Sequence, residues 1–303
     1  MFKEMKKKIM IQATGFGTGA GKSFLVALLC GILQKEGYKV APFKVLNVTG
    51  VTYVKNGKEF GYSQVLQAVA AKTEPDFRMN PLCIKPIGNG FFDLFLEGEC
   101  VRKNYNPERD FVKEILKEMV GFKREIRKVK EITLKCFNSL AENFDFIIIE
   151  GSGPAKIFGL GPLDSFLDQV NMGVAKILKA PVILLTENID SIPQTLSYLN
   201  KQERELIKGA IINKCPINEF SKIGIKQKWL NLGLERLKKV YTKKVGLEIL
   251  GILPYFEEMA QFSDLDPIQV LEKIPLDKWR KISDELILKA KNYLDLHKIQ
   301  KIA

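Results

Sequence analysis

Apolar residues in this chain come in short blocks separated by stretches of helical periodicity, and the two alternate as far as Pro254. The blocks Lys8–Ala13, Lys39–Lys44, Leu82–Pro86, Asp145–Glu150, Pro181–Thr186, Ile207–Asn213 and Glu248–Leu253 predict strands. Between them, Lys22–Lys35, Tyr62–Lys72, Pro107–Met119, Arg124–Asn143, Leu167–Leu178, Pro193–Lys201 and Lys228–Tyr241 predict helices. Phe146-Ile147-Ile148-Ile149 and Val182-Ile183-Leu184-Leu185 are continuously apolar, which marks strands covered on both faces. The expected fold class is therefore α/β, a doubly wound, mostly parallel sheet. In such sheets ligands gather at the carboxyl ends of the strands, so the residues just after each strand carry the search for chemistry. Beyond Pro254 the rhythm is lost: Glu257–Pro275 is acidic and loop-like, and Asp277–Ile299 predicts one amphipathic helix. The domain expectation is one unit over residues 1–256 and a tail over residues 257–303.

The first strand leads into Thr14-Gly15-Phe16-Gly17-Thr18-Gly19-Ala20-Gly21-Lys22-Ser23 and then directly into an apolar helix. Glycines let successive backbone N–H groups wrap a phosphate, a lysine reaches the β and γ oxygens, and a serine hydroxyl serves Mg²⁺. The expected nucleotide-binding set is Gly15, Gly17, Thr18, Gly19, Ala20, Gly21, Lys22 and Ser23. Strict Walker A spacing places a glycine where this chain has Phe16, so the loop is a variant. Gly17 stands where the partitioning and nitrogenase-iron-protein branch of such ATPases carries a second lysine, which argues against that branch. Lys44 and Lys85 close or follow strands near this loop, where each could stabilise a transferring phosphoryl group or pair with a substrate carboxylate. Glu150 ends the fourth strand in a glycine-rich loop, a position suited to hold Mg²⁺ together with Ser23.

Composition narrows the chemistry further. The 303 residues contain one histidine, His297, and five cysteines with no Cys-x-x-Cys pair, so histidine-based triads, zinc sites and a disulfide framework are not expected. No apolar run approaches the ~20 residues of a membrane span. Lys3, Lys6, Lys7 and Lys8 have the charge of a signal peptide, but Ile9–Gln12 is too short an apolar segment to follow it, and a cytoplasmic location is expected. The net charge of +12 is uneven: Arg102–Lys135 holds eleven basic and six acidic residues, Lys201–Glu248 twelve and five, and Cys136–Asn200 three and seven. A basic periphery around an acidic segment suits anion capture beside a carboxylate site. Nucleic-acid binding is not expected, because no basic stripe is interleaved with aromatics.

Further stretches make the pattern specific: Ala41-Pro42-Phe43-Lys44 with Asn47, Gly57-Lys58-Glu59 with Gly61, Gln64-Val65-Leu66-Gln67-Ala68, Met79-Asn80-Pro81 with Lys85-Pro86, and Ile149-Glu150-Gly151-Ser152-Gly153. Val170–Lys176, Ala180–Leu184, Ile212-Asn213-Lys214 and Ile249–Tyr255 continue it. In this order they resemble the N-terminal synthase half of cobyric acid synthase, within the group that includes cobyrinic acid a,c-diamide synthase and dethiobiotin synthetase. The resemblance covers about residues 9–256 and implies a dethiobiotin-synthetase-like P-loop NTPase. It implies ATP and Mg²⁺ as cofactors and amidation of substrate carboxylates through an acyl phosphate, a route needing no enzyme nucleophile. By resemblance, Lys22 and Ser23 lie on the triphosphate and Mg²⁺, Glu150 on Mg²⁺, Lys44 near the γ-phosphate and the carboxylate, and Asn213 at the adenine. Asn47, Gln64, Lys85 and Asn171 fall towards the substrate.

Leu46, Tyr62 and the segment Glu187–Ile192 depart from the family pattern, as does Pro154-Ala155-Lys156 after Glu150, which bears on the substrate more than on the ATPase core. The family's glutaminase domain is expected to be absent, with ammonia free or supplied by a separate glutaminase subunit. The expected partners are thus a small-molecule polycarboxylate, that subunit and, as an oligomer, a homodimer. A dethiobiotin-synthetase-like ligase and a nucleotide-binding regulatory protein without ligase activity stay open as alternatives.

Overall fold

The computed structural model describes residues 7–15, 19–106, 122–156, 162–217, 223–224, 226–259 and 274–303. Six parallel strands form the central sheet: β1 (Lys7–Ala13), β2 (Val40–Phe43), β9 (Phe146–Pro154), β10 (Val182–Thr186), β11 (Ile207–Cys215) and β12 (Ile249–Pro254), in the order β12-β11-β10-β1-β9-β2. Their continuous hydrophobicity has a direct cause. Successive side chains point to opposite faces, and each face is buried. Ile9, Ile11, Ile148, Ile183 and Leu185 pack on one side against α1 (Lys22–Lys35), while Met10, Ile147, Ile149, Val182 and Leu184 pack on the other. The second face is covered by α3 (Phe122–Ala141), α4 (Pro162–Val170), α5 (Met172–Leu178) and α8 (Gln227–Val245).

A second, mixed sheet has the order β3-β6-β7-β8, built from β3 (Leu46–Val48), β6 (Leu82–Gly88), β7 (Phe91–Leu96) and β8 (Glu99–Tyr105). The strand expected over Leu82–Pro86 belongs here and not to the central sheet, because β3 branches off β2 and takes β6 as its parallel partner. A hairpin, β4 (Thr52–Lys55) with β5 (Lys58–Gly61), precedes α2 (Tyr62–Ala70). Asn56-Gly57 joins the two strands of that hairpin and Asn89-Gly90 joins β6 to β7, all four residues at positive φ, the geometry of a tight hairpin turn. The helix expected over Pro107–Met119 lies outside the described residues.

Two expected helices stop short of their expected ends, and a new helix starts after each. Leu167–Leu178 breaks at Asn171, whose side chain is spent on backbone groups, and Pro193–Lys201 becomes α6 (Ser191–Tyr198) and α7 (Lys201–Leu206). The second start is explained by a capping box in which Asn200 accepts from the Glu203 amide at 3.0 Å and Glu203 accepts from the Asn200 amide at 3.1 Å.

The C-terminal segment is also two helices, α9 (Leu276–Lys291) and α10 (Leu296–Ile302), where one was expected over Asp277–Ile299. The break serves the edge of the sheet. Tyr293 accepts from the Ile252 amide at 3.2 Å and Asp295 donates to the Leu250 carbonyl at 2.7 Å, so backbone groups of the edge strand β12 are paired. Apolar residues of α9 enter the core beside α1, with Trp279, Leu286 and Ala290 fully buried. Ile287 lies so close to Gly31 that a Cβ there would meet its side chain at 2.2 Å. Among the described residues no helix is long and apolar enough to cross a membrane.

Candidate active site

The phosphate loop leaves the end of β1 and enters α1 with three glycines at positive φ: Gly15 at 61°, Gly19 at 76° and Gly21 at 86°. Gly17 and Thr18, expected in the same loop, lie outside the described residues. From the far side of the loop Asn213, at the carboxyl end of β11, donates its amide to the Ala20 carbonyl at 2.9 Å. Lys214 donates to the Gly19 carbonyl at 2.8 Å while paired with Glu187, also at 2.8 Å. Lys22 is buried at the start of the helix, and burial, with Lys44 adding to it and Glu150 opposing, lowers its ammonium to about 8. Such a lysine is primed to gain from an anion beside it.

Gly21 admits no side chain. A Cβ there would sit 2.5 Å from the Asn213 amide nitrogen, and its φ is one that L residues rarely adopt. Gly21→Ala is expected to weaken nucleotide binding at least ~10-fold, since a left-handed non-glycine residue costs about 1–2 kcal/mol before the displacement of Asn213 is added. Titration with a fluorescent ATP analogue checks this, and parental affinity would contradict it.

Glu150 is the centre of the polar cluster. It faces Ile11 of β1 across the sheet and is 1% exposed. Its Oε1 accepts from the Lys44 ammonium at 2.7 Å and from the Ser23 hydroxyl at 2.7 Å. Its Oε2 accepts from the Gln67 amide at 2.6 Å. Burial alone would raise this carboxyl, but Lys44 and the hydrogen bonds from Lys44, Gln67 and Ser23 prevail and hold it below the usual carboxylate range. Three polar side chains that lie 83 to 127 residues before Glu150 in sequence thus meet at one carboxylate. Gln67 was not among the expected site residues, and its signal was available: Gln64 and Gln67 are three apart on α2, hence on one helical face, and both are fully buried.

The donors fit Mg²⁺. A hydroxyl and one carboxylate oxygen share a point beside a phosphate loop, and Mg²⁺ is commonly held by one or two carboxylates plus substrate phosphates. Among the described residues no group of three or more His, Cys, Asp and Glu side chains could form an all-protein metal cage. His297 is exposed on α10.

The residues expected on the substrate side divide. Asn47 and Gln64 join the cluster: Asn47 donates to Gln64 Oε1 at 3.1 Å and to the Ser63 hydroxyl at 3.2 Å. Asn80 stands beside them, accepting from the Gly61 amide at 2.9 Å and donating to the Lys44 carbonyl at 3.0 Å, so it shapes the backbone that carries Lys44. Lys85 is instead paired with Glu59 at 2.6 Å, and the same Glu59 oxygen accepts from Thr52. Asn171 is buried and works on backbone, accepting from the Gly153 amide at 2.9 Å and donating to the Leu167 carbonyl at 2.8 Å. It therefore braces the last residues of β9, which runs on to Pro154, so that Glu150 lies within the strand and not at its end as expected. The divergent segment Glu187–Ile192 also closes on the phosphate loop. The Ser191 hydroxyl lies 2.7 Å from Thr14 and 2.8 Å from Thr186, and Thr14 lies 2.9 Å from Thr186.

A family model described as the CobQ/CobB/MinD/ParA nucleotide binding domain matches residues 11–268. Cobyric acid synthase from Clostridium botulinum (strain Alaska E43 / Type E3) is 34% identical over 276 residues, which is 89% of this chain and 48% of that protein. Cobyric acid synthase from Limosilactobacillus reuteri (strain DSM 20016) is 32% identical over 304 residues, covering 97% of this chain and 54% of that protein. The chain spans about half the length of these curated relatives. Among solved structures, MinD complexed with Mg-ADP from Pyrococcus horikoshii OT3 covers 93% of the chain at 18% identity and a TM-score of 0.39. A ParA family ATPase from Chlorobium tepidum TLS covers 93% at 14% identity and the same TM-score of 0.39. With the phosphate loop, the parallel sheet and a match over most of its length, the chain belongs to the CobQ/CobB/MinD/ParA nucleotide binding domain family.

Proposed function

We propose that this chain catalyses the ATP-dependent amidation of carboxylates on a corrinoid or related tetrapyrrole, the reading that its likeness to cobyric acid synthases supports. The observation that carries it is the Lys44 ammonium held 2.7 Å from Glu150, on the oxygen that also takes the Ser23 hydroxyl, beside a phosphate loop. Chemistry that joins ammonia to a carboxylate needs charge stabilisation and positioning, and no protein nucleophile.

In this reading the phosphate-loop N–H groups and Lys22 hold the triphosphate of ATP, and Asn213 sits on the side where the base would lie. Ser23 and Glu150 would hold Mg²⁺, which supplies charge neutralisation on the β and γ oxygens. Lys44 reaches from β2 towards the γ-phosphoryl group and the incoming carboxylate. A carboxylate oxygen attacks the γ-phosphorus while its bond to the ADP oxygen breaks. Ammonia then attacks the acyl carbon, the bond to the phosphate oxygen breaks, and amide, inorganic phosphate and a proton leave. The ammonia arrives from solution or from a separate glutaminase subunit.

The test is ATP hydrolysis by the purified chain with ammonium and candidate acids, cobyrinic acid a,c-diamide among them, followed by product mass. The expected result is ADP, phosphate and amide in equal amounts, with glutamine inactive in place of ammonium. Turnover that requires bicarbonate and a diamine, or ATP hydrolysis indifferent to ammonium and acid, would overturn the proposal.

A further inference from the structure

Glu150 carries Lys44 and Ser23 on one oxygen, and its second oxygen is held by two glutamines from α2: Gln67 Nε2 at 2.6 Å and Gln64 Nε2 at 3.4 Å. The Gln67 amide nitrogen is shared, for it also donates to the backbone carbonyl of Ser23 at 3.2 Å. Its own carbonyl oxygen faces Gln64 Nε2 at 3.5 Å, and Gln64 in turn accepts from Asn47. Asn47 is 2% exposed, and both glutamines are fully buried.

A carboxylate turns easily about its last bond, and each turn would swing Oε1 away from the Ser23 hydroxyl. Donors on Oε2 stop that rotation. Gln67 does more than Gln64, because one nitrogen touches both the carboxylate and the main chain of the residue whose hydroxyl must share the cation. One side chain thereby ties the carboxylate to the main chain that carries the Ser23 hydroxyl. Such a residue need not touch the metal to govern it, since partners that orient metal ligands tune affinity from behind.

We propose that Gln67 is a positioning residue for the Mg²⁺ site, fixing the Glu150 carboxylate and the Ser23 hydroxyl in one geometry, with Gln64 as a weaker second support. The assignment rests on the nucleotide and Mg²⁺ part of the proposed function and not on amide synthesis, so its test needs neither ammonia nor a carboxylate substrate. Gln67→Met keeps the shape of the side chain and removes both donated bonds. Calorimetric titration of the full chain with a non-hydrolysable ATP analogue, at graded Mg²⁺ concentrations, reads the effect. The Mg²⁺ concentration for half-maximal tightening is expected to rise ~10-fold or more, while binding of the analogue in excess chelator stays parental. Gln64→Met is expected to move it in the same direction by a smaller factor. Gln67→Asn, which keeps the amide and withdraws it by one methylene, repeats the test should Gln67→Met fail to fold. Parental Mg²⁺ dependence in either folded Gln67 variant, or a larger shift in Gln64→Met than in Gln67→Met, would overturn the assignment.

Discussion

Lys44→Met is expected to lower turnover at least ~10³-fold, the scale on which a cationic side chain stabilises a transferring phosphoryl group, and to destabilise the protein as well. The reason for the second effect is burial. Lys44 is the cation on a fully buried carboxylate, and removing one partner of a buried ion pair costs about 3–5 kcal/mol because the other charge is left uncompensated. The sign of the pH dependence follows from Glu150. In the parent its carboxyl lies below the usual range, so its contribution is present above the unfolded value of about 4.3 and is lost as pH falls through the lowered folded value. Without Lys44 the dominant influence is burial, which raises the carboxyl. The destabilisation then grows as pH rises above the unfolded value and is relieved in acid. Denaturant midpoints of parent and variant should differ far more at pH 8 than at pH 5. The double variant Lys44→Met with Glu150→Gln should recover much of the stability and none of the turnover. Equal midpoints at neutral pH, or turnover that survives, would remove Lys44 from its assigned place. Loss of turnover with nucleotide binding retained would also argue against a regulatory protein that only binds nucleotide.

Trp279→Ala is expected to cost about 3–5 kcal/mol, the usual range for deleting a buried aromatic, and to lower Tm by roughly 10 °C in a chain of this size. Trp279 is 0% exposed on α9 and lies edge-to-face with Phe24 of α1 at 6.5 Å. Its indole nitrogen donates to the Leu66 carbonyl at 2.8 Å. Leu66 lies on α2 between Gln64 and Gln67, so α9 supports the helical turn that holds Glu150. The truncation should therefore weaken Mg²⁺-dependent nucleotide binding in addition to lowering Tm. Trp279→Phe separates the two contributions, keeping most of the apolar contact and losing the hydrogen bond, for about 1 kcal/mol. A variant at this position with parental Tm would show that α9 is not part of the core.

How much could be read in advance depended on how far each interaction reaches along the chain. The central strands announce themselves because Phe146–Ile149 and Val182–Leu185 are apolar at every position, which only a doubly covered strand requires. The second sheet does not, since β8 is Glu-Cys-Val-Arg-Lys-Asn-Tyr and is exposed along nearly all of its length. Its local signal is a turn, Asn89-Gly90 between β6 and β7, and Asn56-Gly57 is the same kind of hairpin pair in the separate β4–β5 ribbon. The C-terminal segment has the period of an amphipathic helix, and that period is silent about the interruption over residues 292–295, where the backbone turns to pair with β12.

The same division runs through the site. Local order in the sequence by itself determined the phosphate loop, Lys44 just after β2, Glu150 on its apolar strand, and the near absence of histidine, because each is set by neighbours within one turn or one strand or by a simple count. Only the tertiary structure decided that Lys44, Ser23, Gln64 and Gln67 converge on Glu150, that Lys85 is paired with Glu59, and that Asn171 braces the last residues of β9. The physical reason is that a buried charge must find its partners within hydrogen-bond reach, and which residues come within that reach is settled by the packing of α1, α2 and β2 around the end of β9.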